Sequence, residues 1–173
     1  MPLEQIPPLT RFYQRHLRTW VGSLVLLPAC LYVAFAWGEY TFLDTADLII
    51  HEAGHFFFRP FGRFLTIAGG TLMQILLPSI LVWHFWQHAY RFGVQVSLFW
   101  LGHNLVNISV YAADARTRAL PLLGGGGAHR HDWWNMLQMT GLLEYDQVIS
   151  TMFFTAALLI FGLLLVLPYF MWE

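Results

Sequence analysis

Charged residues are scarce in this chain, and lysine is absent. Only 11% of the 173 residues are charged, and all nine basic residues are arginine. The formal net charge is −1, and no basic or acidic tract interrupts the sequence. Because nucleic-acid binding needs concentrated positive charge, we do not expect a nucleic-acid partner.

Cysteine is nearly absent as well. The single cysteine, Cys30, lies within an apolar run. A disulfide needs two cysteines, and a thiolate zinc site needs several. Any metal in this protein must therefore be held by histidine and carboxylate side chains.

Apolar residues are present in excess. Hydrophobic residues make up 57% of the chain and aromatic residues 17%, which is far from the composition of a soluble globular protein. Long charge-free runs alternate with short polar connections. We therefore expect a single all-α integral membrane domain over 1–173, in contact with the lipid bilayer through about five transmembrane helices.

The expected spans cover 20–38, 42–60, 69–90, 92–113 and 148–172. Gly69 and Gly70 are expected to form a loop where the third span begins. Residues 115–147 form a glycine-rich cytoplasmic loop in this interpretation, because the run 124–127 and its polar neighbours cannot cross a bilayer.

Arginine positions suggest which end lies inside the cell. With a cytoplasmic N-terminus, eight arginines lie inside and only Arg91 lies outside, as the positive-inside rule requires. We therefore expect a cytoplasmic N-terminus and a multi-pass protein of the inner (cytoplasmic) membrane, in a bacterial cell.

Ionisable residues within the second span mark a candidate site. The segment His51-Glu52-Ala53-Gly54-His55 has the H-E-x-x-H pattern of zinc hydrolases. On a helix, the two histidines lie one turn apart on one face, where both can bind one zinc ion. Zinc lowers the pKa of a bound water, and the neighbouring glutamate can accept its proton.

A catalytic zinc usually has three protein ligands, so one more donor is needed. His103, Asn107 and Asp114 fall on one face of the fourth span, and Asp114 best matches the depth of His55. His103 remains an alternative. So does His131 in the segment 129–132, because the preceding glycines would let that segment fold back over the site.

The arrangement resembles the site-2 protease family of intramembrane zinc metalloproteases. The resemblance covers roughly 20–116. It depends on H-E-A-G-H in the second span and on an Asn followed by an Asp near the inner end of the fourth.

This resemblance implies roles for particular residues. His51, His55 and Asp114 would bind one Zn²⁺ ion per chain, Glu52 would be the general base, and Asn107 would orient the substrate carbonyl. The substrate would be a membrane protein or a membrane-proximal peptide, and the enzyme could be a homo-oligomer.

Two other functions remain open. The pairs His51/His55, His84/His88 and His129/His131 imitate the histidine cluster of a membrane di-iron oxygenase. The expected topology, however, separates the second pair from the third. The other possibility is an inactive adaptor or chaperone of the same fold, because the second motif lacks the family's Pro after Asn and its Gly pair after Asp.

Overall fold

The computed structural model describes residues 8–121 and 131–170, with side chains from residue 19 onward. All regular structure in these residues is helical, which confirms the all-α part of the expected fold class. The glycine run 124–127 lies outside the described residues. The helices are α1 (Pro8–Phe35), α2 (Phe42–Phe58), α3 (Arg63–Gln87), α4 (Arg91–Ala113), α5 (Asp132–Thr140) and α6 (Asp146–Phe170).

Helix α3 begins earlier than expected. It starts at Arg63, so Gly69 and Gly70 lie within the helix and not in a loop. A Cβ atom on Gly69 would overlap the backbone of Gly54 in α2, and one on Gly70 would overlap the ring of His51. These glycines therefore serve close packing of α2 against α3, as small residues do between membrane helices.

Helix α4 lies at the centre of the bundle. It packs against α1, α3 and α6, and much of its apolar surface joins one core with α1 and α6. It also buries polar side chains, including Gln95, His103 and Asn104. Gln95 bonds to α1 and α6, and His103 bonds to α2, so these polar groups of α4 face neighbouring helices and not lipid.

Within the part of the chain that the structure describes, two helices are long and apolar enough to cross a membrane. They are Arg63–Gln87 and Leu143–Phe170, the second of which joins α6 to the short 3₁₀ turn before it. Their length and composition support an association with a membrane.

Contacts establish the relative directions of the helices. Gln74 of α3 bonds to Asn107 of α4, while Phe85 lies beside Gly93, so α3 and α4 are antiparallel. Helix α2 is antiparallel to α3 in turn, because its residues 51 and 55 contact residues 74 and 66.

Helix α1 runs in the same direction as α4. Gln95 Nε2 donates to Ser23 Oγ at 2.9 Å, and Trp37 Nε1 donates to Ser109 Oγ at 2.9 Å. Both pairs are 72 residues apart in sequence, which only a parallel arrangement allows. The segment 36–41 therefore turns the chain so that α2 sets off in the same direction as α1.

The expected topology differs from this arrangement in the direction of α1. It placed the N-terminus and Arg91 on opposite sides, whereas α1 begins at the same end of the bundle as α4. Of the arginines that the structure describes, residues 11, 15, 18 and 91 lie at one end and residues 59, 63, 116 and 118 at the other. With four described arginines at each end, these residues do not select an orientation by the positive-inside rule.

Candidate metal centre

Two imidazoles and one carboxylate converge where α2, α3 and α5 meet. His51 Nε2 lies 3.0 Å from Asp132 Oδ2, and His55 Nε2 lies 3.2 Å from the same oxygen. The three donor atoms lie within 4.8 Å of one another. The predicted pairing of His51 with His55 on one helix face is therefore present, and the third donor is Asp132.

The other nitrogen of each ring has an acceptor. His51 Nδ1 donates to Gln74 Oε1 at 2.9 Å, and His55 Nδ1 donates to the Thr66 carbonyl at 2.8 Å. A neutral imidazole that donates from one nitrogen has a lone pair on the other. Both Nε2 atoms therefore direct lone pairs toward Asp132, with the outer N–H fixed as in metal-bound histidines.

This arrangement of donors requires positive charge between them. Two lone pairs and a carboxylate oxygen repel one another unless a cation or protons lie among them. Where protons lie between them, Nε2 of each ring donates to the carboxylate and no longer has a lone pair. Burial raises the pKa of the Asp132 carboxyl, but these hydrogen bonds from the protonated rings of His51 and His55 outweigh burial and hold that pKa below its usual value. The carboxylate is therefore ionised near neutral pH, as a metal ligand must be.

Asp132 is positioned by the start of α5. His131 is the N-cap of this helix, and its Nδ1 accepts from the Trp134 backbone N–H at 3.1 Å. The Asp132 backbone N–H donates to the Tyr111 hydroxyl at 3.0 Å, which ties α5 to α4. The first turn of α5 thus places the carboxylate over α2.

Asp114 lies elsewhere, at the C-terminal end of α4. It accepts from the hydroxyl of Thr117 and from the backbone N–H groups of Ala119 and Leu120. Burial would raise its pKa, but these bonds outweigh burial and lower it. The structure therefore does not bring Asp114 to the two imidazoles, where sequence analysis placed it.

His131 connects Asp114 to the metal centre indirectly. Its Nε2 donates to Asp114 Oδ2 at 3.3 Å while its Nδ1 serves as the helix cap. Burial lowers the pKa of His131 against the opposing effect of Asp114. With both nitrogens engaged, His131 holds the neighbouring Asp132 in place and is not itself the third ligand.

His103, the other alternative ligand, belongs to a second buried cluster with Asp44 and Asp47. Its Nδ1 donates to Asp47 Oδ2 at 2.7 Å, and its Nε2 lies 4.0 Å from Asp44 Oδ1. Asn107 also contacts this cluster and donates to Asp44 Oδ1 at 2.8 Å. His103 is therefore part of a separate group, which meets the metal centre through a shared cavity.

The shared cavity has a volume of about 1040 Å³. Its wall includes the metal centre, Glu52 and Asn107, together with Arg63 at the start of α3. Both predicted catalytic residues, Glu52 and Asn107, thus face the space that adjoins the metal centre. Part of the wall comes from the non-helical segment 36–41.

The remaining histidine pair is remote from this site. His84 and His88 lie at the C-terminal end of α3, ten residues beyond Gln74 and hence about 15 Å along the helix. His88 Nδ1 donates to the His84 backbone carbonyl. His129 lies outside the described residues. The described histidines therefore do not form the single cluster that a di-iron oxygenase needs.

Sequence reasoning missed Asp132 and Gln74 as individual residues. The segment 129–132 was an open alternative as a donor, but the candidate residue within it was His131. A glutamine in the charge-free third span was a usable signal for Gln74, since a polar group at that depth needs a partner.

Comparison with known proteins does not identify a relative. No protein-family model, no curated protein and no solved structure matches the chain.

Proposed function

We propose that the protein is a membrane-embedded zinc metalloprotease, with one zinc ion held by His51, His55 and Asp132. The observation that supports this most strongly is the pair of Nε2 atoms directed at one carboxylate oxygen, each ring fixed from behind by an acceptor. Two histidines and one carboxylate, with a further position left for water, are a common ligand set of catalytic zinc.

The membrane setting of this proposal is supported by the outer surface of the bundle. On α6, Met152 is 66% exposed and Leu159 is 69% exposed, and on α2, Phe56 is 74% exposed. Large exposed apolar surface on a soluble chain would promote aggregation, whereas in a bilayer it faces lipid. We propose that α1, α2, α3, α4 and α6 lie within the bilayer, with α5 at the membrane surface. Since α1 and α2 run in the same direction, they do not form two consecutive full spans.

The proposed chemistry assigns a separate role to each polar group of the cavity. A zinc ion would supply a water of lowered pKa. Glu52 follows His51 directly on α2 and lines the cavity, so it can accept the proton of that water as general base. Asn107 donates one amide hydrogen to Asp44, and its second hydrogen remains for a substrate carbonyl.

The proposed substrate is a peptide segment in or beside the membrane. A cavity of about 1040 Å³ is at the upper end of the usual range for ligand sites and can hold several residues of an unwound chain. A helical peptide bond is already hydrogen-bonded and shielded, so a membrane helix would have to unwind before cleavage. The zincin sequence His51-Glu52-Ala53-Gly54-His55 supports peptide hydrolysis over other reactions of activated water.

The test compares wild type with Glu52→Gln in detergent solution. We expect one zinc ion per chain in both proteins by elemental analysis, because Glu52 is outside the ligand set. The substrate pool is a membrane fraction from cells lacking this protein, and new peptide termini are identified by mass spectrometry. Wild type should generate termini that are absent with Glu52→Gln and after chelation of zinc.

Other outcomes would point to the other functions. Two iron ions per chain would support the di-iron oxygenase. Neither metal nor new termini from wild type would support an inactive adaptor. Termini that persist in the Glu52→Gln variant would contradict the assigned role of Glu52.

A further inference from the structure

A row of polar side chains leads from His51 to the second cluster. His51 Nδ1 donates to Gln74 Oε1 at 2.9 Å, Gln74 Nε2 donates to Asn107 Oδ1 at 3.0 Å, and Asn107 Nδ2 donates to Asp44 Oδ1 at 2.8 Å. Gln74 is 2% exposed and Asp44 is 7% exposed. Buried polar groups need hydrogen-bond partners. The orientation of each side chain in the row His51, Gln74, Asn107 and Asp44 therefore depends on the orientation of its neighbour.

The last member of the row determines the direction of every bond. A carboxylate only accepts hydrogen bonds, so Asn107 must turn its NH₂ group toward Asp44 and its carbonyl toward Gln74. Gln74 must then turn its own carbonyl toward His51. His51 therefore faces an acceptor and carries its proton on Nδ1, which leaves Nε2 free for a metal.

We propose that Asp44 is a positioning residue of the metal centre, which acts through Asn107 and Gln74 to fix the tautomer of His51. This inference rests on the proposed function, because it takes His51 as a metal ligand. Without a carboxylate at the end of the row, both amides can turn over and present an N–H to Nδ1. The ring proton then moves to Nε2 and competes with the metal.

Asp44 is itself held firmly in its role as an acceptor. Its Oδ2 accepts from the Thr41 backbone N–H at 2.6 Å and from the Thr41 hydroxyl at 2.7 Å. The bond from the Thr41 backbone N–H is one half of the capping box at the start of α2. The cap of α2 and the orientation of its metal-binding histidine thus depend on the same side chain.

The neighbouring Asp47 is also fully engaged. Its Oδ1 accepts from Trp100 Nε1 at 2.7 Å, and its Oδ2 accepts from His103 Nδ1 at 2.7 Å. All four carboxylate oxygens of Asp44 and Asp47 therefore accept hydrogen bonds already. A second metal ion here would have to displace those donors, so we assign this cluster to positioning.

The first experiment measures zinc affinity by competition with a chelator. Asp44→Asn should weaken binding by about 10- to 100-fold, as is usual when an outer partner of a ligating histidine is lost. Thr41→Ala is the matched control, because it weakens the same helix cap but keeps the carboxylate. Its zinc affinity should equal that of wild type, and an equal loss in both variants would overturn the inference.

A second pair of variants tests the direction of the row. Gln74→Leu should weaken zinc binding, whereas Gln74→Glu should preserve it, since a carboxylate at residue 74 accepts from His51 without help from Asp44. Adding Asp44→Asn to Gln74→Glu should then cause no further loss of zinc affinity. If the double variant loses as much zinc affinity as Asp44→Asn alone, the inference is contradicted.

The tautomer can also be read without any metal. In metal-free Asp132→Ala protein labelled with ¹⁵N-histidine, no carboxylate competes for a proton at Nε2, and the His51 signals, identified by their loss when His51→Ala is added, should show the proton on Nδ1. With Asp44→Asn added to Asp132→Ala they should show a population with the proton on Nε2, and an unchanged tautomer would overturn the inference. If Asp44→Asn does not fold, Asn107→Leu breaks the row at the next residue and is measured in its place.

These readouts separate the inference from the proposed function. A wild-type protein that binds no zinc would overturn the proposed function, and the inference would then be decided by the tautomer alone. A wild-type protein that binds zinc with an affinity independent of Asp44 and Gln74 would overturn only the inference.

Discussion

Replacing Asp132 or Asp114 by asparagine distinguishes the third donor in the structure from the one expected by resemblance. Asp132 Oδ2 lies 3.0 Å and 3.2 Å from the two histidine nitrogens. Loss of an outer partner typically weakens metal binding about 10- to 100-fold, so loss of a direct ligand should cost more than about 100-fold. At about 1.4 kcal/mol per factor of ten, this loss of binding free energy exceeds roughly 2.8 kcal/mol.

Asp114→Asn should leave zinc binding unchanged and lower the stability of the protein. In the wild type, the carboxylate of Asp114 accepts hydrogen bonds from four groups, namely Thr117, Ala119, Leu120 and His131. Hydrogen bonds to a charged group contribute about 1.5–3 kcal/mol each, and an amide keeps one accepting oxygen, so the free energy of unfolding should fall by roughly 3 kcal/mol. Zinc should still bind at one ion per chain.

The assay combines zinc content after dialysis in buffered zinc with thermal unfolding in detergent. We expect Asp132→Asn to lose the metal, and Asp114→Asn to keep the metal while unfolding at a lower temperature. The reasoning is refuted if Asp114→Asn loses zinc at wild-type stability while Asp132→Asn retains it.

Two further predictions concern packing between helices. Gly70→Ala should lower the free energy of unfolding by about 1–3 kcal/mol and weaken zinc binding, because the added methyl group overlaps the ring of His51. Gly162→Ala, whose Cβ meets nothing within 4 Å, should stabilise α6 by about 0.5–1 kcal/mol; equal unfolding temperatures for the two variants would contradict this. Arg116→Ala should lower the unfolding temperature, since Arg116 Nε donates at 2.8 Å to the buried carboxylate of Asp146, and Arg116→Lys should recover part of the loss.

Charge-free runs and flanking arginines are local signals, and they located some of the helix ends. Helices α2 and α4 begin and end within two residues of the expected spans, and α6 begins two residues before its expected span, whereas α1 extends from Pro8, well before the expected start at residue 20. The early start of α3 was missed because a glycine pair is also typical of a turn. In this protein the pair serves a close contact with α2, which only the folded bundle reveals.

The direction of α1 could not be predicted from local pattern. Consecutive full spans that are joined by a loop on one side of a membrane run in opposite directions, and residues 36–41 contain no signal that α1 and α2 depart from this arrangement. What reverses the expectation is a pair of contacts 72 residues apart, from α1 and Trp37 to α4. Such contacts depend on the complete bundle.

The candidate site was only partly predictable, because some of its residues are close together in sequence and others are not. His51 and His55 are paired by helical spacing alone, and Glu52 follows directly from the motif. Asp132 is 81 residues from His51, and its place depends on how α5 caps and docks. Among the residues of α4, Asp114 was favoured because it best matches the depth of His55, but a comparison within one helix gives no information on where α5 docks.

The distance in sequence between the donors has a consequence for the order of assembly. The imidazoles emerge from the ribosome with α2, long before the carboxylate that completes their ligand set. A metal ion could bind tightly only after α5 has been synthesised and has docked. Tight metal binding would therefore occur only in a chain whose α5 is in place. Removal of the ion would loosen α5 first, because the ion would join it to α2.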